Sequence, residues 1–169
     1  ANALQTVIIT VAPAEGVPQW NVTGDKGSPD DMAVVSAIVD TESRRLCVDT
    51  TRIIVAGRGA GAHFAAAYAC ANPTIVSGLI MVAGVYFPPD CTRPEGIAVL
   101  GVLGTSDQVY PPRSGTGPEY DQLIATLGEL RPGSTYDLAG AQEAFDSWAK
   151  NLDCAGTASM SMGVVNVSI

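Results

Sequence analysis

Three alternating glycines, Gly57, Gly59 and Gly61, sit between a run of β-branched residues at 52–56 and an alanine-rich stretch that starts at Ala60. A buried strand, a sharp turn and a helix, carrying the pattern G-x-S-x-G, present a nucleophilic serine for acyl transfer. The amide of the following residue then helps to hold the oxyanion. Here the central position is Gly59, which has no side chain with which to attack a carbonyl, so no acyl-enzyme forms at this position. What remains of that machinery is a turn and one aimed donor, the amide of Ala60. The same residues fit a second chemistry, because Gly57, Gly59 and Ala62 have the G-x-G-x-x-G/A spacing of a dinucleotide fingerprint. That reading requires an acidic residue near the end of the next strand to bind a ribose. The strand ends Val82-Ala83-Gly84-Val85-Tyr86, and Asp90 lies beyond two prolines, so no cofactor is expected.

Two neighbours of the turn complete the inventory. Arg58 is read either as a remnant of an anion-binding site or as a surface or ion-paired arginine. His63, the single histidine of the chain, lies one helical turn beyond the glycines, where packing or simple exposure accounts for it.

The elements that must position these residues follow from periodicity. Residues 6–12 are short, β-branched and apolar on both faces, the pattern of a strand buried in a parallel sheet. A loop rich in Gly, Pro, Asn and Asp follows, carrying Trp20. Ser28 as N-cap, Pro29 at the first position and the acids Asp30 and Asp31 then open a helix. Its apolar stripe is Met32, Val35, Ile38, Val39 and Leu46, with Glu42, Ser43 and Arg44 on the wet side. Strands are expected at 52–56, 78–83 and 97–103, and a last one at 164–169. Helices are expected at 60–71, 119–130 and 139–152, the last with Ala141, Ala144, Phe145, Trp148 and Leu152 at core spacing. Strands alternating with helices predict an α/β fold with a mainly parallel sheet. There is no internal repeat or composition break, so residues 1–169 read as a single domain.

Composition narrows the function. The chain has 169 residues, 47% of them apolar and 15% charged, enough for a packed core. A net charge of −8 with only two lysines leaves no basic face for phosphates, so nucleic acid is not expected as a partner. The longest mostly apolar stretch, residues 75–87, is too short and too interrupted to cross a bilayer, so no membrane span is expected. Cys47, Cys70, Cys91 and Cys154 are dispersed rather than arranged as C-x-x-C, which gives little support for a metal site. Two disulfides in one of three pairings, or buried free thiols, are the open alternatives. Asn21 and Asn166 both begin N-x-S/T tripeptides, and with the cysteines they point to a secreted or cell-surface glycoprotein.

The wider pattern carries a resemblance. Asp30-Asp31 opening a helix, the segment from Cys47 through Arg52 to the glycine turn, Ala69-Cys70, and Val82-Ala83-Gly84 together resemble the secreted polyhydroxybutyrate depolymerases and feruloyl esterases. The segment from Gly104 through Asp107 to Tyr110-Pro111 resembles the part of that family that carries the triad acid. The segment from Trp148 to Cys154 resembles the helix that follows. The resemblance spans roughly residues 6–154 and implies an α/β-hydrolase-like three-layer sandwich, truncated at both ends. It also implies ester cleavage by a Ser-Asp-His triad, but Gly59 replaces the serine and no histidine follows Asp107. The histidine-glycine loop that supplies half of the oxyanion hole would lie upstream of Ala1. Asp107 is the one triad position that matches, and without its histidine this vestigial acid reads rather as a loop aspartate bonded to nearby backbone N–H groups.

The resemblance further implies that residues 6–12 are not adjacent to the strand entering the glycine turn, because one strand lies between them. A partner chain, in a homo- or hetero-assembly, would then complete the sheet. Alternatively, residues 6–12 slide over and pair directly with that strand. The function expected is a catalytically inactive esterase-like domain serving as a structural or interaction module. An ester hydrolase completed by a partner chain and a polymer-binding module using the old cleft are the alternatives.

Overall fold

Three of the apolar runs form neighbouring parallel strands, and the alanine-rich segment forms the helix that crosses between the first two. The computed structural model describes residues 6–13, 20–21, 29–92, 94, 96–104, 107, 110, 140–154, 159–162 and 165–168. Its elements are α1 (Asp31–Leu46), β1 (Ile53–Arg58), α2 (Ala60–Ala71), β2 (Val76–Val82), β3 (Ala98–Gly104), α3 (Ala141–Asn151), β4 (Ser159–Met162) and β5 (Val165–Ser168). The sheet order is β1-β2-β3-β5-β4. β1, β2 and β3 are parallel, whereas β5 runs antiparallel to β3 and β4 antiparallel to β5. The α/β class with a three-stranded parallel core is as expected, whereas half of the strand pairings, those made by β5, are antiparallel, so the sheet is mixed rather than mainly parallel. The helix expected at 119–130 lies outside the described residues.

Strand pairing shows which face of the sheet the helices cover. Gly57 is opposite Met81, and Met81 is opposite Gly101. A Cβ built on Gly57 would run into Gly61 and Ala62 of α2, and one built on Gly101 would stand 3.4 Å from the Phe145 ring of α3. Both helices therefore lie on the same face. The core collects there: Ala62, Ala65, Ala66 and Ala69 let α2 sit close to the strands, and Leu79, Met81, Phe145 and Trp148 fill in around them. Trp148 is completely buried and donates its indole N–H to the Tyr86 carbonyl at 2.7 Å. Alternate residues of β1, namely Ile54, Ala56 and Arg58, point to the opposite face and are exposed. Of the three layers expected, two are built from the described residues.

α1 starts two residues later than its sequence signals suggest. Asp30, not Ser28, is the N-cap, accepting from the Ala33 amide at 3.0 Å. An aspartate directly before the first helical turn serves that role as well as a serine and lies closer to the apolar stripe. Asp31 is buried and accepts the Asn21 amide at 2.7 Å. Arg44 and Arg45 sit in the last turn, where cations suit the helix dipole, and pair with Asp40 and Glu42. The stripe itself is only half-buried, and Leu46 is exposed.

Two expectations are overturned. Residues 6–12 form no strand and lie exposed, with Ile8 84% accessible, so they do not pair with β1, which stands at the sheet edge. The apolar pattern makes a strand possible, but pairing also requires the segment to lie against an edge, and residues 6–12 do not lie against the free edge of β1. Of the four cysteines, Cys70 and Cys91 form a disulfide with Cα atoms 5.5 Å apart, whereas Cys47 and Cys154 are free and exposed. Cys70 ends α2 and Cys91 lies in the loop after β2, so that one bridge ties the crossover helix to the loop of the neighbouring strand.

Candidate functional site: the glycine turn

The turn between β1 and α2 is built from backbone touching backbone. A Cβ on Gly57 would stand 2.0 Å from the Gly61 carbonyl oxygen, and one on Gly84 would stand 2.7 Å from the Gly59 carbonyl oxygen. Only glycine permits either approach. Gly59 itself has φ 56° and ψ −123°, and it is the N-cap residue of α2. That conformation is strained for any residue with a Cβ. It is held in place by its own amide, which donates to Val82 O at 2.9 Å, and by its carbonyl, which accepts from Ala62 and His63. The neighbouring Ala83 also has positive φ, 46°, so the ends of β1 and β2 are both sharply turned where they meet.

Around this turn lies a set of aromatic rings. The space beside the Gly59 Cα is bordered by Tyr110, whose ring and hydroxyl lie 3.4 Å from the point where a Cβ would stand. His63 stacks on Tyr86 at 4.7 Å between ring centroids and meets Tyr110 edge-on at 5.4 Å. Trp20 stacks on Phe64 at 4.4 Å, and its indole nitrogen lies 3.8 Å from the Cβ position of Gly61. Asp107 accepts the Tyr110 amide at 2.9 Å and donates its own to Gly104 at 3.1 Å. In this turn it behaves as a loop aspartate that positions Tyr110.

The residues singled out from the sequence are thus partly reunited. Gly57, Gly59, Gly61 and Ala60 share one turn, and Asp107 reaches it through Tyr110. His63, expected on a helix leading away, packs its ring between the two tyrosines. Arg58 lies on the face opposite α2, away from the helix N-terminus where an anion would be held. Tyr86, Tyr110 and Gly84 were not proposed as site residues. The only sequence signal for them is the position of aromatic residues and glycines just past strand ends.

Asn21 is buried, and its side-chain nitrogen, the atom that would carry a sugar, donates to Pro29 O at 3.0 Å. Through this bond and that of its amide to Asp31, Asn21 clamps the start of α1. Asn166 lies in β5 opposite Leu103 and Ser161, between two other strands. Among the described residues no group of three or more His, Cys, Asp or Glu side chains could hold a metal ion, and no helix is long and apolar enough to cross a membrane.

The fold and site together define an α/β protein whose first three strands are parallel and whose strand-to-helix turn lacks a side chain at its tip. No family model, curated protein or solved structure matches the chain.

Proposed function

We propose that this chain is a catalytically inactive α/β-hydrolase-like domain of the secreted depolymerase and esterase type, serving as a structural or interaction module in an extracellular assembly. The observation that carries this reading is Gly59. Its backbone is held at φ 56° and ψ −123° at a strand-to-helix turn, the strained geometry that suits a presented nucleophile, yet there is nothing there to present. The Tyr110 hydroxyl lies 3.4 Å from where a Cβ would be, so the space next to the missing nucleophile is already occupied. The Cys70–Cys91 disulfide supports an oxidising compartment.

The test is reaction with a serine-directed fluorophosphonate and turnover of a short-chain aryl ester, on the native chain and on Gly59→Ser. Neither protein is expected to be labelled at the turn or to hydrolyse the ester. Gly59→Ser should also lose about 1–3 kcal/mol of stability, because serine must adopt the strained backbone. Saturable turnover by either protein would overturn the reading. Tyr86, Tyr110 and Trp20 around the turn favour a second reading, a polymer-binding cleft, which predicts retention on an insoluble polyester or polysaccharide without its breakdown.

A further inference from the structure

One edge of the sheet and one segment of the chain have complementary needs. β1 forms the edge of the sheet, and no described residue pairs with its outer side. Ile54, facing away from α2, is 61% exposed. On the α2 side, a groove of about 360 Å³ opens between α1 and the start of the sheet, lined by Val39, Arg44, Thr50, Ile53, Thr74 and Ile75. Among the described residues the edge thus offers unpaired backbone, which is a template for another strand. Ile54 is exposed on one side of it, and on the other lies a groove of mixed lining, Ile53 and Ile75 beside Asp40 and Arg44.

Residues 6–12 have the opposite need. This uncharged run of seven residues contains neither Gly nor Pro, and six of the seven are Val, Ile or Thr, the other being Ala12. In this structure it is exposed along its length and belongs to no strand, with Val7, Ile8, Ile9 and Val11 all among the exposed large apolar residues. Its length matches the six residues of β1.

We propose that residues 6–12 of one copy of this chain add as a strand to the outer edge of β1 of a second copy, and reciprocally, giving a strand-exchanged dimer. The proposal names a partner for the assembly role above and rests on that role alone, not on the absence of catalysis. A strand of this length is roughly 23 Å long. With one edge and the α2-side face covered, two reciprocal additions remove on the order of 1,000 Å² from water, at the lower end of specific interfaces. Charge limits which contact between two copies is possible. Two bodies of net charge −8 repel each other, so contact through uncharged arms is the least opposed, and added salt should strengthen it.

The test combines sedimentation of the whole chain over a range of concentrations with cross-linking. Thr10→Pro removes one ladder donor and fixes φ in a segment that the folded body does not use. At concentrations low enough for both proteins to be monomeric, this variant should keep the native unfolding midpoint, and it should shift the dimer dissociation constant at least tenfold. For cross-linking, Ile9→Cys and Ala56→Cys are placed on separate copies in a Cys47→Ser, Cys154→Ser background and mixed with a short bismaleimide. A band of twice the chain mass, lost with Thr10→Pro, is the expected result. A monomer at every concentration overturns the exchange, as does a dimer indifferent to Thr10→Pro. Closure of the same cross-link within a single chain carrying both cysteines would show that the segment serves its own edge, and also overturns it. None of these outcomes bears on ester turnover, so failure of this inference and of the inactive-hydrolase reading are separable.

Discussion

The two borders of β1 are built by opposite rules. At its C-terminal end, Gly57 lies under Gly61, Gly84 presses on Gly59, and the Gly59 amide is bonded to Val82, so backbone positions are set to fractions of an ångström. Along its outer edge, Ile54 is mostly exposed and the ladder stops. The contrast teaches that the turn does not need chemistry to persist. Close packing between two strand ends keeps it sharp even though its tip residue, Gly59, carries no side chain, whereas the edge has been left unfinished by the described residues.

The largest effect should come from breaking the packed border at its tightest point. Gly57→Ala brings a methyl group to 2.0 Å from a backbone oxygen that cannot move without displacing α2, and about 3–5 kcal/mol of stability should be lost. Gly61→Ala is the control. Its Cβ would meet only the Trp20 indole nitrogen at 3.8 Å, and the residue lies inside a helix, so the change should be neutral or add up to about 1 kcal/mol. Urea titration of both variants checks the pair. Equal losses would mean that the turn is fixed by its φ/ψ preferences rather than by the approach of Gly57 to α2.

A second comparison sets neighbouring strands against each other. Leu79 on β2 is 1% exposed and packs under α2, whereas Ile54 on β1 is 61% exposed. Leu79→Ala should cost about 2–5 kcal/mol through lost burial and a cavity. Ile54→Ala should cost well under 1 kcal/mol in the isolated chain. If the outer edge of β1 receives a strand, the Ile54→Ala loss should grow with protein concentration, and thermal unfolding at two concentrations a hundredfold apart measures this.

The same contrast governs what could be read from the sequence. α2 was legible to the residue, because alanine density and Asn72-Pro73 mark both of its ends, and four of the five core positions proposed for α3 are buried. These segments carry their own instructions. Residues 6–12 do not, since a β-branched run apolar on both faces specifies only that a strand could form, and its partner is a separate condition. β4 was missed because Ser159, Met160, Ser161 and Met162 lack β-branched residues, and pairing with β5 overrides that weak propensity. The glycine spacing announced the turn. The tyrosine beside it could not be foreseen, because Tyr110 arrives from fifty residues away through the Asp107 turn. Likewise, the cysteine pairing required knowing that the end of α2 meets the loop after β2.

The smallest expected effect lies in the turn that leads from α1 into the unfinished strand. Asp49 accepts the Thr51 hydroxyl at 2.7 Å and the Thr51 amide at 3.0 Å. The Thr51 hydroxyl first, then the amide, and finally the charge of Arg52 lower its pKa below the ordinary aspartate value. A carboxylate whose pKa is depressed on folding stabilises the fold above its unfolded pKa, and this contribution disappears as the pH falls through the lowered folded value. Asp49→Asn should therefore show a slightly lower urea midpoint than the native chain at neutral pH, and the gap should close on acidification through that window. Because the group is fully exposed, the gap should be small and should shrink in high salt only to the extent that Arg52 contributes. A gap unchanged from neutral pH to below the ordinary aspartate range would mean that the Asp49–Thr51 bonds do not depend on the charge, and that this entry to β1 is held by its backbone alone.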